Sequence, residues 1–151
     1  GLTNKQRIPY EFRARRSLTD EAREFIGQFG AIAPVIDELQ PSLTTRYRRT
    51  TLLETGSASR ITVDTDLACA TPDGAIVMLP DIDIVETKTG GRPCRFDHLL
   101  WDVRRRPTKI SKYGTGLAAL TPGLPANKWN RVLRCHFGWS PWMGLQQDIS
   151  R

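Results

Sequence analysis

The sequence predicts an α+β domain, with an antiparallel sheet in the middle of the chain and helices on either side of it. Three observations carry this expectation. Residues 60–67 alternate strictly: Ile61, Val63, Thr65 and Leu67 point one way, and Arg60, Thr62, Asp64 and Asp66 point the other. Asp73-Gly74, set between two strand-like runs, is a strong hairpin signal. Outside this region apolar residues recur at helical spacing, as in Leu18, Ala22, Phe25 and Phe29.

Taken in order, residues 5–13 alternate loosely and carry Pro9, which suits an edge strand. Arg13, Arg15 and Arg16 then form a basic turn. Ser17 and Asp20 make a capping-box-like helix start, with Asp20, Glu21 and Glu24 near the positive end of the helix dipole. Ile26 lies beside the apolar face of this helix, and Gly30 supplies a stop. Pro34 and Pro41 bracket a second short helix near residues 35–39. Residues 46–54, rich in Thr, Tyr and Leu, read as a strand on which Arg46 and Arg48 point one way and Arg49 the other. Residues 75–89 return as one or two strands broken near Pro80. After Gly90-Gly91 the pattern is helical again over residues 96–103 and 112–120, and a last helix starts near Pro125 and carries Trp129, Val132 and Leu133. Residues 138–151 form a tail without a clear period.

Composition bounds the function. At 151 residues the chain is one domain's worth of material, and no apolar run approaches the ~18 residues a membrane helix requires. Cys69, Cys94 and Cys135 are odd in number, widely spaced and without a C-x-x-C pair, which argues against a disulfide scaffold or a structural zinc site. Free thiols suit a reducing, cytoplasmic setting, and no signal peptide opens the chain. Residues 1–7 read like mid-domain material, so a fragment is expected. Net charge is +6, and 17 of the 22 basic residues are Arg, whose flat fork of donors matches phosphate oxygens. Two explanations compete for this excess: anion binding, and the codon usage of a GC-rich genome.

The placement of charge is more informative. Arg60, Asp64 and Asp66 project from the face opposite Ile61 and Val63, and Glu86 and Lys88 share a face of their strand. Cations interleaved with carboxylates suit phosphate chains, because Arg and Lys neutralise oxygens while a carboxylate retains a bridging metal. The bland alternative is a solvated sheet surface. If residues 109–113 open a helix, Lys109 and Lys112 share a face and repel each other unless an anion lies between them. No Walker-type glycine loop is present, and no Ser or Cys stands beside a plausible His base.

Four segments in order, residues 47–52, 60–67, 85–89 and 109–113, followed by Pro125-Ala126-Asn127-Lys128-Trp129, resemble the VTC domain. This is the polyphosphate polymerase module of the triphosphate tunnel superfamily, here in a bacterial version. The resemblance implies an antiparallel β-tunnel, of which residues 1–137 would be the second half. The first half, with its own basic strands, would come from elsewhere, and without it catalysis by this chain would be weak or absent. It implies that Arg49 and Arg60 contact phosphate, that Lys109 and Lys112 stand at the tunnel wall, and that Lys5 and Arg7 form a basic pair on an opening strand. It also implies that Glu86 holds a divalent metal, Mn2+ or Mg2+. Asp64 and Asp66 are the next candidates for that metal, and Arg48 and Lys88 the further candidates for binding substrate. Whether Arg48 or Arg49 faces inward stays open. The implied partners are ATP, polyphosphate and inorganic phosphate. Two alternatives remain: a triphosphate or tripolyphosphate hydrolase of the same tunnel fold, and a non-catalytic polyanion binder. Nucleic acid is disfavoured by Asp64, Asp66 and Glu86 among the cations, and by tryptophans that cluster late in the chain.

Overall fold

A computed structural model describes residues 6–9, 17–57 and 59–140. It divides into two compact units, Gly1–Ser42 and Leu43–Arg151. In the first unit, residues 6–9 have no regular secondary structure, and the rest of the edge strand expected there lies outside the described residues. Helix α1 is Asp20–Gly27. Its N-cap is Thr19 and not Ser17, because the Thr19 Oγ1 accepts the backbone N–H of Ala22 at 3.2 Å. Phe25 and Phe29 meet edge to face with ring centroids 5.7 Å apart. A 3-10 helix, Ala33–Glu38, follows with Pro34 in its first turn, where a missing N–H costs nothing. Arg23 and Asp37 form an ion pair within this unit.

The second unit is built on a four-stranded antiparallel sheet with β1 Thr44–Leu53, β2 Arg60–Ala70, β3 Ile76–Leu79 and β4 Ile84–Lys88. β2 is the hub. β1 pairs along one of its edges, while β3 and β4 share the other. The β2–β3 hairpin turns at Asp73-Gly74, where Gly74 has φ +98°, a conformation that glycine adopts without strain. β3 and β4 are one returning run, interrupted by residues 80–83 around Pro80.

The alternation expected over residues 60–67 breaks at one position. Arg48 stands opposite Thr65 but Arg46 stands opposite Ala68, so Asp66 and Leu67 together oppose the single residue Tyr47. Asp66 has φ +53°, which marks it as the extra residue of a β-bulge. The bulge flips the pleat. Leu67 and Cys69 thereby join the face of Asp64 and do not stay with Ile61 and Val63. There they form an apolar cluster with Leu79 and Ile84, against which Leu43, Val77, Ile110 and Leu120 pack.

Helices flank the sheet: α2 Arg95–Asp102, α3 Lys112–Leu120 and α4 Asn130–His136, the last preceded by a 3-10 turn, Asn127–Trp129. Asp97 ties α2 to β4. It accepts the Thr87 hydroxyl at 2.7 Å and the backbone N–H of Cys94 at 2.8 Å. Burial disfavours its charge, but these donors together outweigh that cost and hold the Asp97 carboxyl below the ordinary range. α3 approaches β2 closely because position 116 is glycine: a Cβ there would lie 2.5 Å from the Cys69 Sγ. No helix among the described residues is long and apolar enough to cross a membrane.

Candidate functional site

Residues directly opposite one another in an antiparallel pair share a face. Arg49 opposes Asp64, Thr51 opposes Thr62, and across the other edge Glu86 opposes Thr62 and Lys88 opposes Arg60. One face of the sheet thus carries Arg49, Arg60, Asp64, Glu86 and Lys88. Arg48, opposite Thr65, lies on the other face, so it is Arg49 that joins the charged cluster.

At the centre is Asp64, fully buried, with Arg49 opposite it on β1 and the buried Ile84 opposite it on β4. Its Oδ1 accepts from Arg49 Nε at 2.6 Å and its Oδ2 from Arg49 Nη2 at 2.7 Å, a two-bonded fork. Lys112, the first residue of α3, places its Nζ 2.6 Å from the same Oδ2. Tyr47 lies beneath both cations, with the Arg49 guanidinium 5.1 Å and the Lys112 ammonium 5.3 Å from its ring centroid. The Arg49 hydrogen bonds hold the Asp64 carboxyl below its usual range and outweigh the opposing effect of burial, with Lys112 assisting. The same hydrogen bonds raise the Arg49 guanidinium. Asp64 therefore stays ionised and braces two cations in fixed positions.

Next to this brace, Arg60 and Lys88 stand side by side across strands, two like charges at directly opposed positions. Such a pair is unfavourable unless something negative lies near it. Glu86 supplies part of that charge, 3.1 Å from the Lys88 Nζ. The face still carries four cations against two carboxylates. Between Glu86 and Thr51 the Thr62 hydroxyl is buried and has no hydrogen-bond partner among the described residues.

The remaining expected residues fall elsewhere. Lys5 lies outside the described residues, and Arg7 is exposed in the other unit. Lys109 precedes α3, which begins at Lys112, so the two lysines do not share a helical face. Lys109 lines a small cleft with Lys128 and Arg131. Asp66 sits on the bulge and pairs loosely with Arg48 at 3.5 Å. The long-range partnership of Lys112 with Asp64 has no signature in the sequence, because nothing local to either residue points to the other.

No group of three or more His, Cys, Asp or Glu side chains that could hold a metal ion gathers among the described residues. Both oxygens of Asp64 are engaged by cations, which leaves Glu86 as the carboxylate of this face. One carboxylate suits an ion that arrives with phosphate oxygens and water, as magnesium commonly does, and does not make a cage that holds the ion alone.

A family model, the VTC domain, matches residues 4–121. No curated protein and no solved structure matches the chain.

Proposed function

The chain belongs to the VTC domain family, and from that premise we propose that it contributes the cation face of a polyphosphate polymerase. The family is associated with polyphosphate polymerase activity. The reading rests on one observation above the rest: Arg60 and Lys88 are opposed on the face where Asp64 fixes Arg49 and Lys112. Such an arrangement is relieved by a bound polyanion.

In the proposed reaction a terminal oxygen of the polyphosphate chain attacks the γ-phosphorus of ATP. The bond from that phosphorus to the β–γ bridging oxygen breaks, ADP leaves, and the chain is one phosphate longer. Phosphoryl transfer asks the protein mainly for positioning and charge neutralisation. Arg49 and Lys112, already locked by Asp64, would spend little ordering entropy on engaging phosphate. Arg60 and Lys88 would take the neighbouring phosphate oxygens. Glu86 would hold the divalent metal, Mn2+ or Mg2+, which offsets phosphate charge when bound. The triphosphate tunnel fold is part of the proposal: the four-stranded sheet would form one wall, and further strands would close it.

That open sheet also favours a second reading, a polyphosphate-binding surface without turnover of its own. The test uses the natural full-length protein with ATP and Mn2+, following 31P resonances for polymer. Polymer is expected. Glu86→Gln should abolish its formation and leave tripolyphosphate affinity within about threefold, since Glu86 contributes one charge of the six. Binding without polymer favours the surface reading. Orthophosphate released from tripolyphosphate, without polymer, makes the protein a hydrolase and refutes the polymerase.

A further inference from the structure

Away from the sheet face, a cleft of about 240 Å³ opens between the loop before α3 and the start of α4, with Lys109, Lys128 and Arg131 on its walls. Among the described residues no carboxylate lines it. None of the three cationic side chains has an ion pair or hydrogen bond among the described residues. This sets them apart from Arg49, Lys112, Lys88 and Arg48, each of which has an acidic partner. We infer that this cleft is a second docking site for a phosphate chain; its substrate class rests on the function proposed above.

Size and shape favour a phosphate chain over a nucleotide. Pockets for drug-sized ligands run from roughly 300 Å³ upward, and this one is smaller. Trp129 lines the cleft, but its ring is pressed on α3: a Cβ at Gly114 would lie 2.5 Å from the Trp129 Cη2. Trp129 also packs against the buried cluster of Ala118, Ala126 and Leu133. The indole is thus committed to packing and makes a poor plate for stacking a base. That same packing fixes the backbone from which Lys128 and Arg131, three residues apart, project.

The cleft adjoins the sheet face through the chain itself. Lys109 and Lys112 are three residues apart, so their Cα atoms lie within about 11 Å of each other. A polyphosphate held near Lys112 has the second anchor within reach, and engagement of both sites raises affinity for long chains over short ones. Lys128, Trp129 and Arg131 lie beyond the residues matched by the family model, while Lys109 lies within them, so one wall of the cleft extends past the matched region.

The test compares tripolyphosphate with a polyphosphate of about a hundred phosphates, binding to the natural full-length protein at fixed salt. The readouts are calorimetry and the indole N–H resonance of Trp129. In the wild type the long chain should bind at least tenfold tighter per molecule and move the Trp129 resonance. Lys128→Ala combined with Arg131→Ala should remove that preference and leave the resonance unmoved, while Arg131→Lys keeps both. An unchanged long-chain preference in the double variant overturns the inference, as does a loss in Arg131→Lys equal to that in the double variant. Failure of the proposed function reads differently. Polymer formation that survives Glu86→Gln refutes Glu86's role there and leaves the cleft result standing.

Discussion

Replacing Asp64 by Asn keeps the shape of the side chain and removes the charge that two cations share. In the wild type the carboxylate takes three bonds, of 2.6, 2.7 and 2.6 Å, from Arg49 and Lys112. The amide would accept fewer of them and turn a donor toward a cation. Removing one partner of a buried ion pair costs roughly 3–5 kcal/mol. The Arg49 side chain is 38% exposed and recovers solvation, so its share is discounted; Lys112, at 17%, recovers less. A loss of about 2–4 kcal/mol is expected, a large part of the stability of roughly 5–15 kcal/mol typical of a native domain. With a urea slope of about 2 kcal/mol/M, the midpoint should fall by on the order of 1–2 M with the slope unchanged.

The pH dependence has a definite sign. Asp64 titrates lower in the folded than in the unfolded state. Its contribution is therefore complete above the unfolded carboxylate value of about 3.9 and fades as the pH falls through the folded value. Asp64→Asn should lack this part of the acid transition. The freed cations also make tripolyphosphate a better stabiliser of the variant than of the wild type. A urea midpoint within about 0.3 M of wild type, a shift worth well under 1 kcal/mol, would refute the brace.

Two other expectations concern packing. Gly116→Ala sets a methyl 2.5 Å from the Cys69 Sγ, 3.0 Å from its Cβ and 3.2 Å from the Leu43 Cδ2. Despite the helix-propensity gain of about 1 kcal/mol, thermal melts should show a net loss of about 1–3 kcal/mol; an unchanged or higher Tm would mean that α3 can lift off β2 freely. Among the thiols, Cys69 and Cys94 are buried and Cys135 is exposed, and burial pushes the Cys69 thiol up. A thiol reagent at pH 8 should label Cys135 fast and the other two only after denaturant is added; rapid native labelling of Cys69 would contradict the core described above.

Much of the local structure was legible because its signals are local. Asp73-Gly74 announced the hairpin, the apolar spacing after Ser111 gave α3, and the alternation at Glu86 and Lys88 put both side chains on one face. The bulge was not legible. Ile61, Val63, Leu67 and Cys69 are all odd-numbered and all apolar or buried, so the pattern looks unbroken while the pleat reverses at Asp66. Thr19 displaced Ser17 as the cap because both residue types can cap a helix and backbone geometry selects between them. The partnership of Asp64 with Lys112 spans 48 positions, and its formation depends on α3 docking on the sheet, which no local pattern encodes.

The extra residue at Asp66 acts as a phase shift in the strand. With the pleat continued unbroken, the half that meets water-borne charge and the half that seals against α3 would lie on opposite sides of the sheet. Advanced by one residue, both halves look the same way, and a single strand is dry at one end and ionic at the other. Inherited insertions and deletions are usually absorbed by loops, yet here one lost residue would reverse half of the strand. Leu67 and Cys69 would turn to the side of Ile61, and α3 would lose the surface that sets Lys112 over Asp64. This strand should therefore tolerate many substitutions of side chain but almost no change of length, a constraint that a census of natural variants would reveal as conserved spacing between Asp64 and Cys69.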